Sequence, residues 1–537
     1  MKRWNGWGDT NNDYPLPESA AEFLRARVGE GVPVADAPLA EVVASVPPSR
    51  LPPHRLLNQE AETRLRHACG QSLPDWVALR YGRIPAFPDA VAFPTIESEV
   101  AELIRYARDV GARLIPYGGG TSVVGHINPL PGDAPTLTVN LGRLNRLRSF
   151  DQRSLLATFG AGVTGPEVEA QLRAHGCTLG HYPQSFELST LGGWVATRSS
   201  GQQSRGYGRI EDLFAGGMLE TPVGQWRLLP HPASAAGPDL RHLVLGSEGR
   251  LGVLTEVTVR AAPLPESEHF SGYFFPDFES GQTAVRQIVQ SAIPVSLLRL
   301  STATETTTTL ALAGHERLIG GLETLLDWRG VGEGKAMLLA GFTGRRDLVK
   351  MAQGAVGGLV RANGGLTLGA GVGERFGQTW AKGRFRTPYL RNTLWEMGYA
   401  IDTVETAVPW SQVDATMAAM EGALRDGLAN VGEPVYCFTH LSHVYPHGAS
   451  IYTTFLFRLS PDPEQLLERW RGLKTAVSQA IVAHQGTISH QHGVGVDHAP
   501  YLPAEKGELG MAALQDLLRR FDPHGMMNPK KLIVDSW

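Results

Sequence analysis

The chain has 537 residues, with 49 Lys and Arg against 53 Asp and Glu and a formal net charge of −4. That length allows about three domains and ample core. With 42% apolar and 19% charged residues the chain is not mainly disordered, and its near-balanced charge without a dense basic block argues against a nucleic-acid partner. No apolar run approaches ~18 residues, so no transmembrane helix is expected. The opening Met1-Lys2-Arg3-Trp4-Asn5-Gly6-Trp7 lacks the apolar stretch of a signal peptide. Three distant cysteines, Cys69, Cys177 and Cys437, form no C-x-x-C pair, which favours a reducing cytoplasm over a disulfide framework or a cysteine-built zinc site. Glycine, at 62 residues, exceeds the ~7% norm. Much of the excess lies in short clusters, as expected where backbone approaches a large polar ligand.

Residues 1–87 read as a helical preface: Ala20–Val28 and Leu56–Cys69 are helix candidates, and the proline-rich Val32–Pro53 is a surface connector. From residue 88 the pattern alternates. Val91–Pro94 is a short strand, and Ser98–Val110 places Val100, Leu103, Ile104 and Ala107 on one helix face. Arg113–Tyr117 is a strand running into a glycine cluster, Thr136–Leu141 and Leu155–Phe159 are further strands, and Gly165–His175 is a helix opened by Pro166. This α/β unit extends to residue 264. Pro265-Glu266-Ser267-Glu268 reads as a linker. Beyond it Gly272–Phe275, Val295–Leu300 and Ala336–Gly341 are strands, alternating with helices Ser280–Ser291, Ala313–Arg329 and Arg346–Asn363. That order predicts an α+β unit over 265–484 with an antiparallel sheet, followed by a C-terminal segment 485–537.

Gly160-Ala161-Gly162-Val163-Thr164-Gly165 fits G-x-G-x-x-G, but its candidate acid, Glu187, follows Gly180-His181-Tyr182-Pro183 and ends no second apolar strand. A plain strand-to-helix turn is the better reading. Four other loops stand out: Pro116-Tyr117-Gly118-Gly119-Gly120-Thr121-Ser122; Gln184-Ser185-Phe186-Glu187-Leu188-Ser189-Thr190; Thr197-Arg198-Ser199-Ser200; and Glu248-Gly249-Arg250-Leu251-Gly252-Val253-Leu254. Each sets bare backbone N–H groups and small hydroxyls at an element end, the chemistry that cradles pyrophosphate.

In this order and spacing the four loops resemble the FAD-binding domain of the vanillyl-alcohol oxidase/p-cresol methylhydroxylase superfamily. The resemblance implies that they bind FAD, the glycine–hydroxyl loops at the diphosphate and the last motif at the adenosine side. It also implies an overall α+β fold: a two-part FAD-binding domain over 88–264, a cap domain over 265–484, and 485–537 returning to the flavin. The first loop carries no His or Cys, so noncovalent FAD is expected. Within the superfamily the chain is similar to the alkyldihydroxyacetonephosphate synthase family, through Met1–Gly8, Tyr14–Phe23, Gly192-Gly193-Trp194, Gly206–Leu213, Glu405–Trp410, Gly448–Tyr452 and Ser489–Gly495.

Seven of the 17 histidines fall between His440 and His498. His490 and His492 alternate in Ser489-His490-Gln491-His492-Gly493, and on a strand both rings would point to one side. As chemical objects they can act as acid or base near neutral pH, ligate a metal, or simply be satisfied by neighbours. The resemblance favours catalysis by His490 and His492, with Gln491 standing where the family has a third histidine. It also makes Tyr452 catalytic, Arg391 a binder of substrate phosphate and Arg299 a second essential arginine; no metal is expected. The segment Arg375–Arg391 interleaves Phe376, Trp380, Phe385 and Tyr389 with Lys382, Arg384 and Arg386. It can rest at a bilayer interface or be a solvated helix and loop.

The implied activity is an alkyl transfer that replaces the acyl group of acyl-dihydroxyacetone phosphate by a long-chain alcohol without net redox change. The expected partners are therefore those two lipids, in a cytoplasmic enzyme with membrane contact and self-association left open. The alternative is a FAD-dependent 2-hydroxy acid dehydrogenase of the lactate/glycolate type, for which His440, His443 and His447 would imitate a metal motif.

Overall fold

In the computed structural model, residues 2–312, 316–367 and 369–534 are described, without side-chain detail at 316–319, 369–372 and 374–376. Three sheets of four or more strands organise the chain. The first has the order Leu57–Asn58, Ala90–Ala92, Thr136–Asn140, Arg113–Tyr117, the last three parallel. The second is antiparallel: Leu147–Asp151, Leu156–Gly160, Val253–Arg260, Phe214–Thr221, Gly224–Leu228. Because Leu156–Gly160 pairs antiparallel with Val253–Arg260, the 160–165 glycine motif does not sit on a parallel dinucleotide-binding sheet.

The third sheet is antiparallel throughout, in the order Leu366–Thr367, Ser267–Phe275, Ala336–Gly344, Leu297–Ser301, Tyr436–Tyr445, Gly448–Arg458, Tyr399–Pro409. On one face Leu298 and Leu300 pack in a core with Ala284, Val285, Ile288 and Val289 of helix Phe278–Gln290 and Val349, Val356 and Val360 of helix Arg346–Ala362. Each large aliphatic side chain so buried contributes roughly 1.5–3 kcal/mol. Alternation then turns Arg299 and Ser301 to the opposite face. Register aligns that face: Ser301 pairs with His440, His440 with Tyr452, and Tyr452 with Glu405. Directly paired residues share a face, so side chains more than 100 residues apart in the chain form one row.

Several local expectations change. Leu56–Cys69 is a two-residue strand followed by the short helix Ala61–Leu65. The Asn58 side chain accepts the Glu60 N–H at 2.9 Å, a local turn that competes with helix. Helix Leu73–Arg80, which apolar spacing alone does not mark, is opened by a Ser72–Asp75 capping box with Pro74 at its start. The connector 32–53 contains helix Leu39–Ala44. Ser267 and Glu268 are strand residues paired with Gly344 and Thr343 rather than linker. Helix Ala303–Leu312 is an element the pattern did not mark, while helix Glu316–Trp328 lies within the helix expected over 313–329. From the N-terminal segment, Trp7, Leu73, Trp76 and Val77 join the core of the large sheet.

Candidate active site

The four glycine–hydroxyl loops converge. A Cβ on Gly118 would meet Thr190 Oγ1 at 2.2 Å, and one on Gly119 would meet the Leu188 carbonyl at 1.9 Å, so glycine is what lets the first two loops touch. The fourth meets the helix end that leads into the third, where the Glu248 N–H donates to the Ala196 carbonyl at 2.9 Å. Gly249 lies against Pro116, 2.9 Å from a built Cβ to Cγ, closing the ring. Among the described residues, the backbone N–H groups of Gly119, Gly120, Thr121 and Ser122 donate to no protein acceptor. A group of unspent N–H donors on glycine-rich backbone fits a diphosphate, and these residues would hold the one in FAD. Gln184 and Glu187 are exposed. Phe186 is buried, and Ser189 accepts the Trp194 indole N–H at 2.7 Å. The hydroxyls of Thr197, Ser199 and Ser200 are engaged with Gly193, His181 and Ser204. Leu251, Val253 and Leu254 are core side chains, leaving only backbone for a ligand.

The segment carrying His490 and His492 is not a strand. It curls around the carboxylate of Glu405, which is wholly buried. Glu405 accepts the Ser489 hydroxyl at 2.9 Å and the N–H groups of His490, Gln491 and His492 at 3.0 Å each. Three successive N–H groups cannot converge on one carboxylate from an extended chain, whose N–H groups alternate in direction. Four donors offset the several kcal/mol that desolvating a carboxylate costs. The far end is clasped by Glu248, whose carboxylate accepts the Val494 and Gly495 N–H groups at 2.6 and 2.8 Å. His126 Nε2 lies 3.0 Å from the same carboxylate. Two acids, one on strand Tyr399–Pro409 and one in the turn before strand Val253–Arg260, therefore shape the loop. Glu405 carried no role in the sequence reading; its signal was an acid in the middle of an alternating strand.

Tyr452 stacks on His440, ring centroids 5.0 Å apart, and meets His492 edge-on at 5.7 Å. Burial first pushes the Tyr452 hydroxyl up to about 12, with Glu405 and Asp402 adding to it against a Thr403 hydrogen bond; it stays protonated at neutral pH. Burial holds His492 below the ordinary imidazole value, against the pull of Glu405. Behind Tyr452, His440 Nδ1 lies 2.8 Å from Glu305 Oε2, and Arg299 pairs with Glu305 Oε1. Burial alone would raise Glu305, but His440 and Arg299 win and bring it down to about 2. Arg299 is thus brought to the row through a carboxylate absent from the sequence reading. His443 Nε2 sits 3.1 Å from the Gly201 carbonyl and His447 stacks on Tyr445, so these rings and His440 are directed to different partners.

Arg391, on helix Leu390–Glu396, lies over the Trp76 ring at 4.3 Å and donates from Nη1 to the Gln71 carbonyl at 2.5 Å. Its Nε and Nη2 are shut from solvent without a partner. Burial lowers it to about 10, while Asp402, Asp75 and Tyr452 pull the other way. Two unspent charged donors on a guanidinium held by stacking have the chemistry to pair with a bidentate anion. Of the basic–aromatic segment, Arg375 and Phe376 lie outside the described side chains. Trp380 packs on Phe270, Phe385 stacks on Phe186 at 5.0 Å, and Tyr389 is buried with its hydroxyl 3.3 Å from Glu187; Arg386 is exposed.

Residues 264–532 match the family model of FAD linked oxidases, C-terminal domain, and residues 88–228 that of the FAD binding domain. The chain is 29% identical over 580 residues to the alkyldihydroxyacetonephosphate synthase of Dictyostelium discoideum, covering 99% of this chain and 93% of that protein. It is 31% identical over 489 residues to that of Caenorhabditis elegans, covering 89% and 81%. A solved alkyldihydroxyacetonephosphate synthase structure superposes with a TM-score of 0.83 at 27% identity, covering 99% of this chain and 98% of that one. No described helix is long and apolar enough to cross a membrane.

Proposed function

Because this chain belongs to the FAD-linked oxidases and is a homologue of the alkyldihydroxyacetonephosphate synthases, we propose that it exchanges the acyl group of acyl-dihydroxyacetone phosphate for a long-chain alcohol, giving an ether-lipid precursor. The observation that carries this reading is the Arg391 guanidinium, whose unpartnered Nε and Nη2 suit a phosphate dianion within electrostatic reach of Tyr452. FAD, when bound noncovalently, supplies an electron-poor ring that takes up and returns electron density with no net redox change. The residues do the rest. Arg391 clamps the phosphate and so orients the ketone. His492, held neutral by burial, accepts a proton from the carbon bearing the acyl group and returns it to the same carbon once the alcohol oxygen has bonded there in place of the departed carboxylate. The protonated Tyr452 hydroxyl donates to the departing carboxylate oxygen and takes a proton from the entering alcohol.

The test is to supply acyl-dihydroxyacetone phosphate and labelled hexadecanol under anaerobic conditions and to look for labelled ether product with release of one fatty acid. Absence of ether product, together with flavin bleaching by lactate or glycolate, would defeat this reading in favour of hydroxy acid oxidation.

A further inference from the structure

His490 is 6% exposed, and its ring is held from the FAD-binding side of the molecule. Arg209, just before helix Ile210–Leu213, sets Nη1 2.8 Å from His490 Nε2 and donates from Nη2 to the His490 carbonyl at 2.8 Å. The same Nη2 reaches the carbonyl of Arg198, in a cofactor loop, at 3.3 Å. Tyr445 Oη is 2.6 Å from His490 Nε2 and accepts from Arg209 Nη1 at 3.3 Å. A guanidinium has donors and no acceptor. His490 Nε2 must therefore present its lone pair, and the ring proton must sit on Nδ1. That nitrogen is buried without a hydrogen bond, 3.7 Å from Glu405 Oε2.

We propose that Arg209 is a positioning residue that locks His490 in the neutral Nδ1–H tautomer and ties it to the cofactor loop, leaving proton transfer to His492 and Tyr452. This rests on the reading of the Glu405-held loop as part of the reaction centre.

The groups facing the ring agree. Strand Tyr436–Tyr445 presents His443, centroids 4.9 Å away, and Tyr445. Strand Tyr399–Pro409 presents Glu405, the loop itself His492, and the FAD-binding side Arg209 with Glu211 3.4 Å from its Nε. Burial, His443, Arg209 and His492 all press His490 well below the ordinary imidazole value. Arg209, Tyr445 and His443 also line a cleft of about 360 Å³, so water can reach the outer side of the lock once the guanidinium is removed.

The experiment is nitrogen NMR of the FAD-loaded protein with labelled histidine, the His490 signals assigned by their loss in His490→Gln. The expected result is Nδ1 protonated, Nε2 bare, and no titration from about pH 8 to 5, a range that brackets the ordinary histidine value. Arg209→Met should show Nε2–H or a ring that titrates in that range, whereas Arg209→Lys, which keeps a donor, should retain the Nδ1–H form. An Nε2–H or charged His490 in the wild type would overturn the proposal, as would an unchanged ring in a folded Arg209→Met. If Arg209→Met does not fold, the wild-type spectrum and Arg209→Lys decide. Failure to form ether product would sink the proposed function and leave this spectrum as it is.

Discussion

Both carboxylate oxygens of Glu405 lie 3.0 Å from the backbone nitrogen of His490, so a strand acid fixes a loop 85 positions further along the chain. The side chains of His490 and His492 are aimed by this backbone contact rather than by any regular element of their own.

Replacing Glu405 should therefore release the loop. Glu405→Ala leaves three N–H groups without their acceptor, at a cost of about 2–4 kcal/mol. Thermal unfolding should shift accordingly, and hydrogen exchange should accelerate at residues 490–492. Glu405→Gln, which keeps one acceptor oxygen, should fall between. Unchanged exchange in Glu405→Ala would refute the loop-holding role.

Tyr452→Phe keeps the ring that stacks on His440 and removes the hydroxyl alone. Turnover should fall about 10²–10⁴-fold, the usual contribution of one proton-transfer group, while flavin content and thermal midpoint stay at wild-type values. Near-normal turnover would remove Tyr452 from the chemistry.

Arg391→Lys loses both the fork and the stacking on Trp76. Substrate affinity, read by titrating the flavin absorbance, should weaken by roughly 2–4 kcal/mol, or some 30- to 1000-fold, with FAD content unaffected. Normal substrate affinity would show that the phosphate binds elsewhere.

Acid should destabilise the fold through its buried neutral histidines. Burial is the main cause that lowers His181 to about 3 and His443 to about 4, against about 6.5 for an unfolded imidazole. Below pH 6.5 the unfolded chain binds protons that the folded one refuses, so stability is complete above that value and is lost as pH falls towards 4. Thermal midpoints at pH 7, 5.5 and 4.5 should drop in that order, and His443→Gln should flatten the slope by about one proton. A midpoint flat over this range would contradict the assignment.

Flavin should leave with acid. The loop Gly118–Ser122 offers no His or Cys for a covalent link, so acid precipitation should put all the FAD in the supernatant. Flavin retained in the pellet would reverse the noncovalent assignment.

Local patterns sufficed for the elements that build the site. Glycine clusters and hydroxyls mark the four converging loops, the 3.6-residue spacing of Val100, Leu103, Ile104 and Ala107 marks a helix buried on those four residues, and alternation marks the strand carrying Tyr452. Each of these signals comes from a few neighbouring residues, so one chain reveals it. The row Ser301–His440–Tyr452–Glu405 was not legible, because register between distant strands is set by turns and packing that no local window contains. The same holds for Glu405 and Glu248: a buried acid looks like any other until the N–H groups it accepts are brought to it. Tertiary structure alone decided that the histidine loop wraps a carboxylate instead of extending, because three unspent N–H groups satisfied at once outweigh the weak strand preference of Ser489-His490-Gln491-His492.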